Sequence, residues 1–197
     1  MSATIFKNCL LVCVFLCISI SMTAQPDTIP VRDDQPVKSS KETFRQADFG
    51  IGLGLDYGGL VGVQLGFVPV KHLSLFGALG YYMTGTGWQL GMKGLFLPNT
   101  SDYPFRPFLK VMYGSNSQIK VEGAPEYNKI YKGFTVGFGA EFRGGKHRQN
   151  GIDLDLNVPL RTSEFWDDYN DLKNKPYIDW KNDLLPIAVS IGFHHEF

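Results

Sequence analysis

Single charges stand among apolar and small residues at alternating positions along most of this chain: Asp56, Lys93, Arg106, Lys110, Glu141, Arg143, Asp153, Asp155 and Glu196. Isolated charges of both signs in such settings can pair with one another inside a fold or line a polar conduit. Buried charges destabilise unless partnered. The expectation is therefore a structural charge network of Lys93, Arg106, Lys110, Glu141, Arg143, Asp153, Asp155 and Glu196, with a narrow conduit as the alternative. His194 and Glu196 share a face and read as one end of that network. His72, His147 and His195 complete the histidines. They do not combine with a nucleophile and an acid in the way acyl transfer needs. The expected catalytic, metal and cofactor sets are all none. The alternating glycines of Gly50-Ile51-Gly52-Leu53-Gly54 suit close backbone approach within a strand, not a phosphate-cradling turn.

A second stretch carries a different chemistry. Phe165, Trp166, Asp167, Asp168, Tyr169, Asp171, Tyr177 and Trp180 interleave acids with large aromatics, and Glu164, Asp179 and Asp183 add to the acids. Trp and Tyr anchor many interfaces, so this segment is the candidate docking loop for a protein, a glycan or a divalent cation. Alternatively, its aromatics pack the loop onto the body of the fold. Phe165, Tyr169 and Leu172 have i, i+4, i+7 spacing and predict a short surface helix. The acids lack the alternating spacing and glycine of an EF-hand loop.

The bulk composition removes some classes. Lys+Arg and Asp+Glu are both 19, so there is no electrostatic case for nucleic acid. Cys9, Cys13 and Cys17 all fall near the N-terminus. There Lys7, the apolar run from Cys9 to Ile20 and Met22-Thr23-Ala24 read as a signal peptide over residues 1–24. Lipidation at Cys17 is the competing reading, opposed by the bulk of Phe15-Leu16. Residues 25–47 are polar and contain Pro26, Pro30 and Pro36. They predict a flexible leader, with a plug or partner-binding arm as the alternative.

From Asp48 the pattern has period two. Phe49, Ile51, Leu53, Leu55 and Tyr57 face one way, and Asp48, the glycines and Asp56 face the other. Comparable runs follow at Val61–Phe67, Leu73–Tyr81, Trp88–Phe96, Phe105–Tyr113, Phe134–Arg143, Ile152–Val158 and Leu185–Phe193. Each is about the length of a tilted membrane-crossing strand. Eight runs close an antiparallel sheet without edges and put both termini on one side. Pro107 and Pro186 cannot donate to a ladder and are expected where pairing lapses.

A soluble sandwich would bury the aliphatic face. Two features argue for a lipid-facing one. The other face is small and sparsely charged, with Phe76, Phe108 and Met112 among its few large apolar groups, as a narrow filled lumen requires. The aromatics also sort to strand ends: Tyr57, Tyr81, Trp88, Tyr113 and Phe134 at one rim, and Phe49, Phe67, Phe96, Phe105, Phe142 and Phe193 at the other. Membrane interfaces favour such girdles.

The last strand ends Ser190-Ile191-Gly192-Phe193-His194-His195-Glu196-Phe197. Gly192 and Phe197 match the C-terminal assembly signal of outer-membrane barrels, and His195 departs from it. On these features residues 48–197 resemble the small outer-membrane β-barrel superfamily of Gram-negative bacteria, the OmpA-transmembrane, OmpX and PorT-like group. The resemblance implies an all-β, eight-stranded antiparallel up-and-down transmembrane β-barrel with a filled lumen and periplasmic termini. It implies outer-membrane lipid and the barrel-assembly machinery as partners. The role it suggests is structural or interactive rather than enzymatic, with a protein or glycan met at the outer loops. A lipid-modifying enzyme and a narrow channel are the alternatives. In this topology Val68–Lys71, Leu97–Tyr103 and Gly144–Asn150 are the periplasmic turns. Gly58–Gly59, Thr84–Thr86, Ser115–Ile130 and Leu160–Asp183 are the outer loops.

Overall fold

The computed structural model describes residues 45–100, 103–121, 124–145, 147–175 and 184–197. The N-terminal segment through residue 44 lies outside the described residues, and with it the expected signal peptide over 1–24 and most of the expected leader over 25–47. Eight strands run β1 Ala47–Gly54, β2 Gly59–Val70, β3 Leu73–Tyr82, β4 Gly85–Leu95, β5 Phe105–Ile119, β6 Lys129–Gly144, β7 Asn150–Pro159 and β8 Ala188–Glu196. Each pairs antiparallel with its sequence neighbour, and β8 returns to β1 to close the barrel. Closure leaves no strand edge along the wall.

Side-chain alternation decides which way each residue points. Ile51, Leu65, Leu79, Leu90, Leu109, Phe138, Leu154 and Ile191 lie exposed on the outside, one from each strand. Gln64, Ser74, Gln89, Lys93, Arg106, Lys110, Glu141 and Asp153 are buried inside. The soluble-sandwich alternative requires the opposite arrangement. Phe76, Phe108 and Met112 also point inward, and the Lys93 ammonium sits 5.0 Å from the Phe108 ring centre and 5.6 Å from that of Phe76. Pro107 lies inside the continuous β5–β6 register, opposite Ala140, and only its β4 side runs out, where its carbonyl accepts from Phe96 just past the end of β4.

Four sequence expectations need correction. The first strand stops at Gly54, and Leu55–Tyr57 form a 3-10 turn. Gly54 and Gly58 have φ of 111° and 74°, which a side chain would strain, and this reverses the phase. Tyr57 therefore leaves the girdle and enters the lumen, where it is 1% exposed. Its place inside exists because the walls there are glycine. A Cβ on Gly52 or Gly192 would overlap the Tyr57 ring or hydroxyl, and one on Gly62 or Gly80 would overlap its carbonyl oxygen.

Second, Ser115–Ile130 is a loop only in its middle, because Ser115–Ile119 and Lys129–Ile130 are strand. β5 and β6 continue as a hairpin beyond the barrel, with Gln118 paired to Ile130 and Ile119 to Lys129 past an irregularity between Ser115 and Ser117. Third, β8 begins at Ala188, after Pro186, not at Leu185. Fourth, Ala47 already belongs to β1, and Arg45, assigned to the leader, is buried against Glu196 at 3.8 Å.

The predicted surface helix is present as α1, Ser163–Lys173. Glu164 in its first turn and Lys173 in its last complement the helix dipole. Phe165, Tyr169 and Leu172 are its buried stripe, and they pack with Ile119 and Tyr131 of the hairpin into a small apolar core.

Candidate functional site

Two places concentrate chemistry: the interior of the barrel and the α1–hairpin unit beyond its far end.

The interior network has two layers. Near the termini, Arg106 binds Glu141, Glu196 and Asn99 at once, with Nε donating to Glu141 at 2.8 Å and Nη2 to Glu196 at 2.9 Å. Arg143 also pairs with Glu196. Lys93 donates to Asp153 at 3.1 Å and lies 4.0 Å from Glu141. In the upper layer Lys110 pairs with Asp56 and, at 3.1 Å, with Asp155. Asp56 also accepts from Asn157 at 2.7 Å and Ser190 at 3.2 Å. Neighbouring strands supply opposite charges in register, as at Arg106 opposite Glu141. All eight residues of the expected network are thus buried and within ion-pair reach of an opposite charge.

Sequence reasoning missed several members. Asn99, from the β4–β5 connection, folds into the terminal end, accepts from Arg106 and Arg143, and donates to the carbonyl of Arg45. Arg45 looked like part of a polar leader. Tyr57 closes the opposite end, its turn lying against β1, β2, β3, β4 and β8. The pairing of Gly52 and Gly192 across β1 and β8 is the available signal for Tyr57, because two glycines at one level leave a gap that something must fill.

His194 Nδ1 lies 3.0 Å from Asp153 Oδ1, a pairing that in other settings orients a base. Here the adjoining cavity, lined by Asp48, Ser74, Lys93, Glu141 and Glu196 among others, has about 10 Å³. That is room for about one water and not for an acyl group. Glu141, His194 and Glu196 bring ligand atoms within 4.8 Å of one another. Both carboxylates are held by Arg106, so the guanidinium already supplies the positive charge a cation would bring. The other histidines stand elsewhere. His195 faces outward, 2.7 Å from Asn150 Oδ1 and edge-on to Phe197, and His72 lies 3.0 Å from the Leu95 carbonyl.

The second place is α1. Of the expected docking residues, Phe165 and Tyr169 are buried in the apolar core. Trp166, Asp167 and Asp171 are exposed. Tyr177 and Trp180 lie outside the described residues. Asp168 clamps the helix to β6, accepting from Lys129 and from the Tyr131 hydroxyl, each at 2.7 Å. Lys129 also reaches Glu164 at 2.9 Å. The hydrogen bonds from Lys129 and Tyr131 hold the Asp168 carboxyl below its ordinary value of 3.8, and the bond to Asp168 raises Lys129 above 10.5. The aromatics therefore divide, with Phe165 and Tyr169 holding the helix down and Trp166 facing out beside the acids.

At the C-terminus, Gly192 provides the space for Tyr57, and the amide of Phe197 donates to the Ala47 carbonyl at 2.9 Å with its ring exposed.

No protein-family model matches the chain, and no characterised protein matches it in sequence. Among solved structures, the N-terminal β-barrel domain of Pseudomonas aeruginosa OprF is similar, with a TM-score of 0.46 and 9% identity over 78% of this chain and 98% of that one.

Proposed function

We propose that this protein is an integral outer-membrane β-barrel with periplasmic termini, and that it serves a structural or interaction role through the α1–hairpin unit on the outer side. The observation that carries the membrane reading is the spacing of the outward aromatics. Trp88 and Phe96, Tyr113 and Phe105, and Phe134 and Phe142 are each eight residues apart on successive strands. Trp88, Tyr113 and Phe134 touch in sequence, at 6.1 Å and 5.0 Å between ring centres, and Phe105 meets Phe142 at 5.2 Å. Eight residues span about 27 Å along a strand, or about 21 Å at a tilt of about 40°. That approaches the ~25 Å apolar band of outer-membrane barrels. Exposed aliphatic residues fill the belt between the rings on every strand. Water-soluble monomers rarely expose a contiguous apolar patch above roughly 600 Å².

The test is refolding into phospholipid vesicles. Insertion predicts heat-modifiable migration on gels and protease protection of the strands, with cleavage only in the outer connections. A monodisperse, detergent-free soluble form would refute it. In this reading Gly192 and Phe197 present the last strand to the assembly machinery. A protein or glycan partner meets Trp166, Asp167 and Asp171, while Phe165 and Tyr169 hold them in place. Deleting Ser163–Lys181 while keeping the barrel should remove the crosslinked partners seen in native membranes, and an unchanged set would exclude the docking role. Lipid A mass spectra that change with the protein's presence would replace this reading with an enzymatic one.

A further inference from the structure

We propose that the outward face of the β5–β6 hairpin binds net-anionic phospholipid headgroups of the leaflet it faces, through Lys132 and Lys120. The inference rests on the membrane reading above. It begins from the register of the hairpin. Ser115 pairs with Lys132, Ser117 with Tyr131, Gln118 with Ile130 and Ile119 with Lys129. Tyr131 and Ile119 are buried under α1. Alternation therefore puts Ile130 and Lys132 on the other face of β6, continuous with the exposed Phe134, Val136 and Phe138.

Lys132 thus stands just above the aromatic girdle. Its ammonium lies 5.6 Å from the Trp88 ring centre, and Trp88 packs on Tyr113. This is the depth at which aromatic rings meet headgroups and a lysine stem lies along apolar surface with its charge in the polar layer. Lys120 leaves the same hairpin with its Nζ 3.7 Å from Sδ of the exposed Met83.

Charge distribution separates these two lysines from the others nearby. Lys129 is paired with Glu164 and Asp168, and Lys175 with Asp171. Among the described residues neither Lys120 nor Lys132 forms an ion pair. The acids of α1 are on the far side of the hairpin, so they do not neutralise the outward face. Two ammonium groups without an ion pair among the described residues, beside a headgroup-level girdle, complement an anionic leaflet. Each lysine near such a surface gives about a fivefold preference at low salt.

The experiment uses Trp88 as the reporter. The chain has 3 tryptophans, so the full chain carrying Trp166→Phe and Trp180→Phe leaves Trp88 alone. It is refolded into phosphatidylcholine vesicles containing a minor fraction of either brominated phosphatidylglycerol or brominated phosphatidylcholine, and quenching is compared. The anionic quencher is expected to act as though enriched about fivefold or more around Trp88. Lys132→Gln should bring the ratio close to one, Lys120→Gln should lower it, and 0.5 M salt should weaken it. Free inorganic phosphate at matched ionic strength should leave it unchanged. Equal quenching by the two lipids, or enrichment indifferent to Lys132→Gln, overturns the headgroup proposal while leaving membrane insertion standing. Loss of enrichment on adding inorganic phosphate would identify a free-anion site and overturn the lipid assignment. Absence of quenching by either lipid would overturn the membrane reading itself, and this proposal with it.

Discussion

Replacing Gly192 by Ala tests whether the glycine walls exist to admit Tyr57. An ideal Cβ on Gly192 would overlap the Tyr57 hydroxyl oxygen first and the ring carbons behind it. Overpacking of this kind costs about 1–3 kcal/mol. Replacing a strand glycine by Ala returns about 0.5–1 kcal/mol of backbone entropy. The net loss expected for Gly192→Ala is therefore about 1–2 kcal/mol. The Tyr57 hydroxyl has no hydrogen-bond partner among the described residues, so Tyr57→Phe should change stability by less than about 1 kcal/mol. Combined, the two substitutions remove the nearest overlap, and a favourable coupling of about 1 kcal/mol is expected. Gly62→Ala is the control. Its Cβ would overlap the carbonyl oxygens of Tyr57 and Leu79, which Tyr57→Phe does not move, so that pair should be additive within about 0.5 kcal/mol. The assay is equilibrium urea unfolding of the vesicle-refolded barrel, followed by tryptophan emission. Additive behaviour at position 192, or equal coupling at both positions, would refute the account of the lumen.

The remaining predictions concern the two charged layers and α1. Arg106→Met leaves Glu141 and Glu196 short of their shared partner and should cost about 3–5 kcal/mol, the usual price of an orphaned buried charge, read by the same urea midpoint. Phe165 is 0% exposed, so Phe165→Ala should cost about 3–5 kcal/mol locally. It should free α1 to proteolysis while the barrel stays heat-modifiable, and simultaneous loss of both would contradict the separate small core. For pH, the depressed Asp168 carboxyl stabilises α1 above its ordinary value of 3.8 and loses that contribution as pH falls through its lower folded value. The raised Lys129 contributes below 10.5 and loses its part as pH climbs past its higher folded value. Hydrogen exchange of α1 should therefore be flat between about pH 5 and 9 and quicken, beyond its intrinsic pH dependence, outside that window. Asp168→Asn should abolish the acid limb, at under about 1 kcal/mol because the pair is exposed. Planar-bilayer recordings of the refolded barrel should show no stable conductance, and a steady ion-selective step would contradict the closed lumen.

What was legible in the sequence followed from how local its signals are. Val61 to Phe67 declares a strand because each residue's neighbour two places away shares its side. Phe165, Tyr169 and Leu172 declare a helix for the same kind of reason. The fate of Tyr57 was not legible that way. Leu53, Leu55 and Tyr57 keep perfect phase, and the reversal depends on glycines at 52, 62, 80 and 192, brought together only when the barrel closes. The β5–β6 extension was hidden by polarity. Ser115, Asn116, Ser117 and Gln118 look like a loop, yet Ser115, Ser117 and Gln118 pair with Lys132, Tyr131 and Ile130, and Asn116 between them breaks the period. Asn99 and Arg45 were missed because a polar residue between strands reads as solvated unless its partner, here Arg106 or Glu196, is known to be near. The network residues themselves were readable from alternation, but their pairing was not, since Asp56 and Lys110 meet only across the lumen.

The arrangement of the lumen bears on where function can lie. A solute crossing it would meet Tyr57 and its turn at one end and Asn99 with Arg45 at the other. Between them it would have to part Lys110 from Asp56 and Asp155, and Arg106 from Glu141 and Glu196. Separating even one such buried pair costs about 3–5 kcal/mol, and neither layer can be bypassed in a barrel this narrow. Passage would therefore require the Leu55–Tyr57 turn to leave its glycine seat and both charged layers to open together, which amounts to partial unfolding. The wall faces outward with aliphatic side chains that carry no selectivity. Among the described residues, α1 and the hairpin present exposed groups of both signs: Trp166, Asp167 and Asp171 on one side, Lys120 and Lys132 on the other. Under the proposed interaction role, recognition falls to the far rim, and the interior charges brace the wall that carries it.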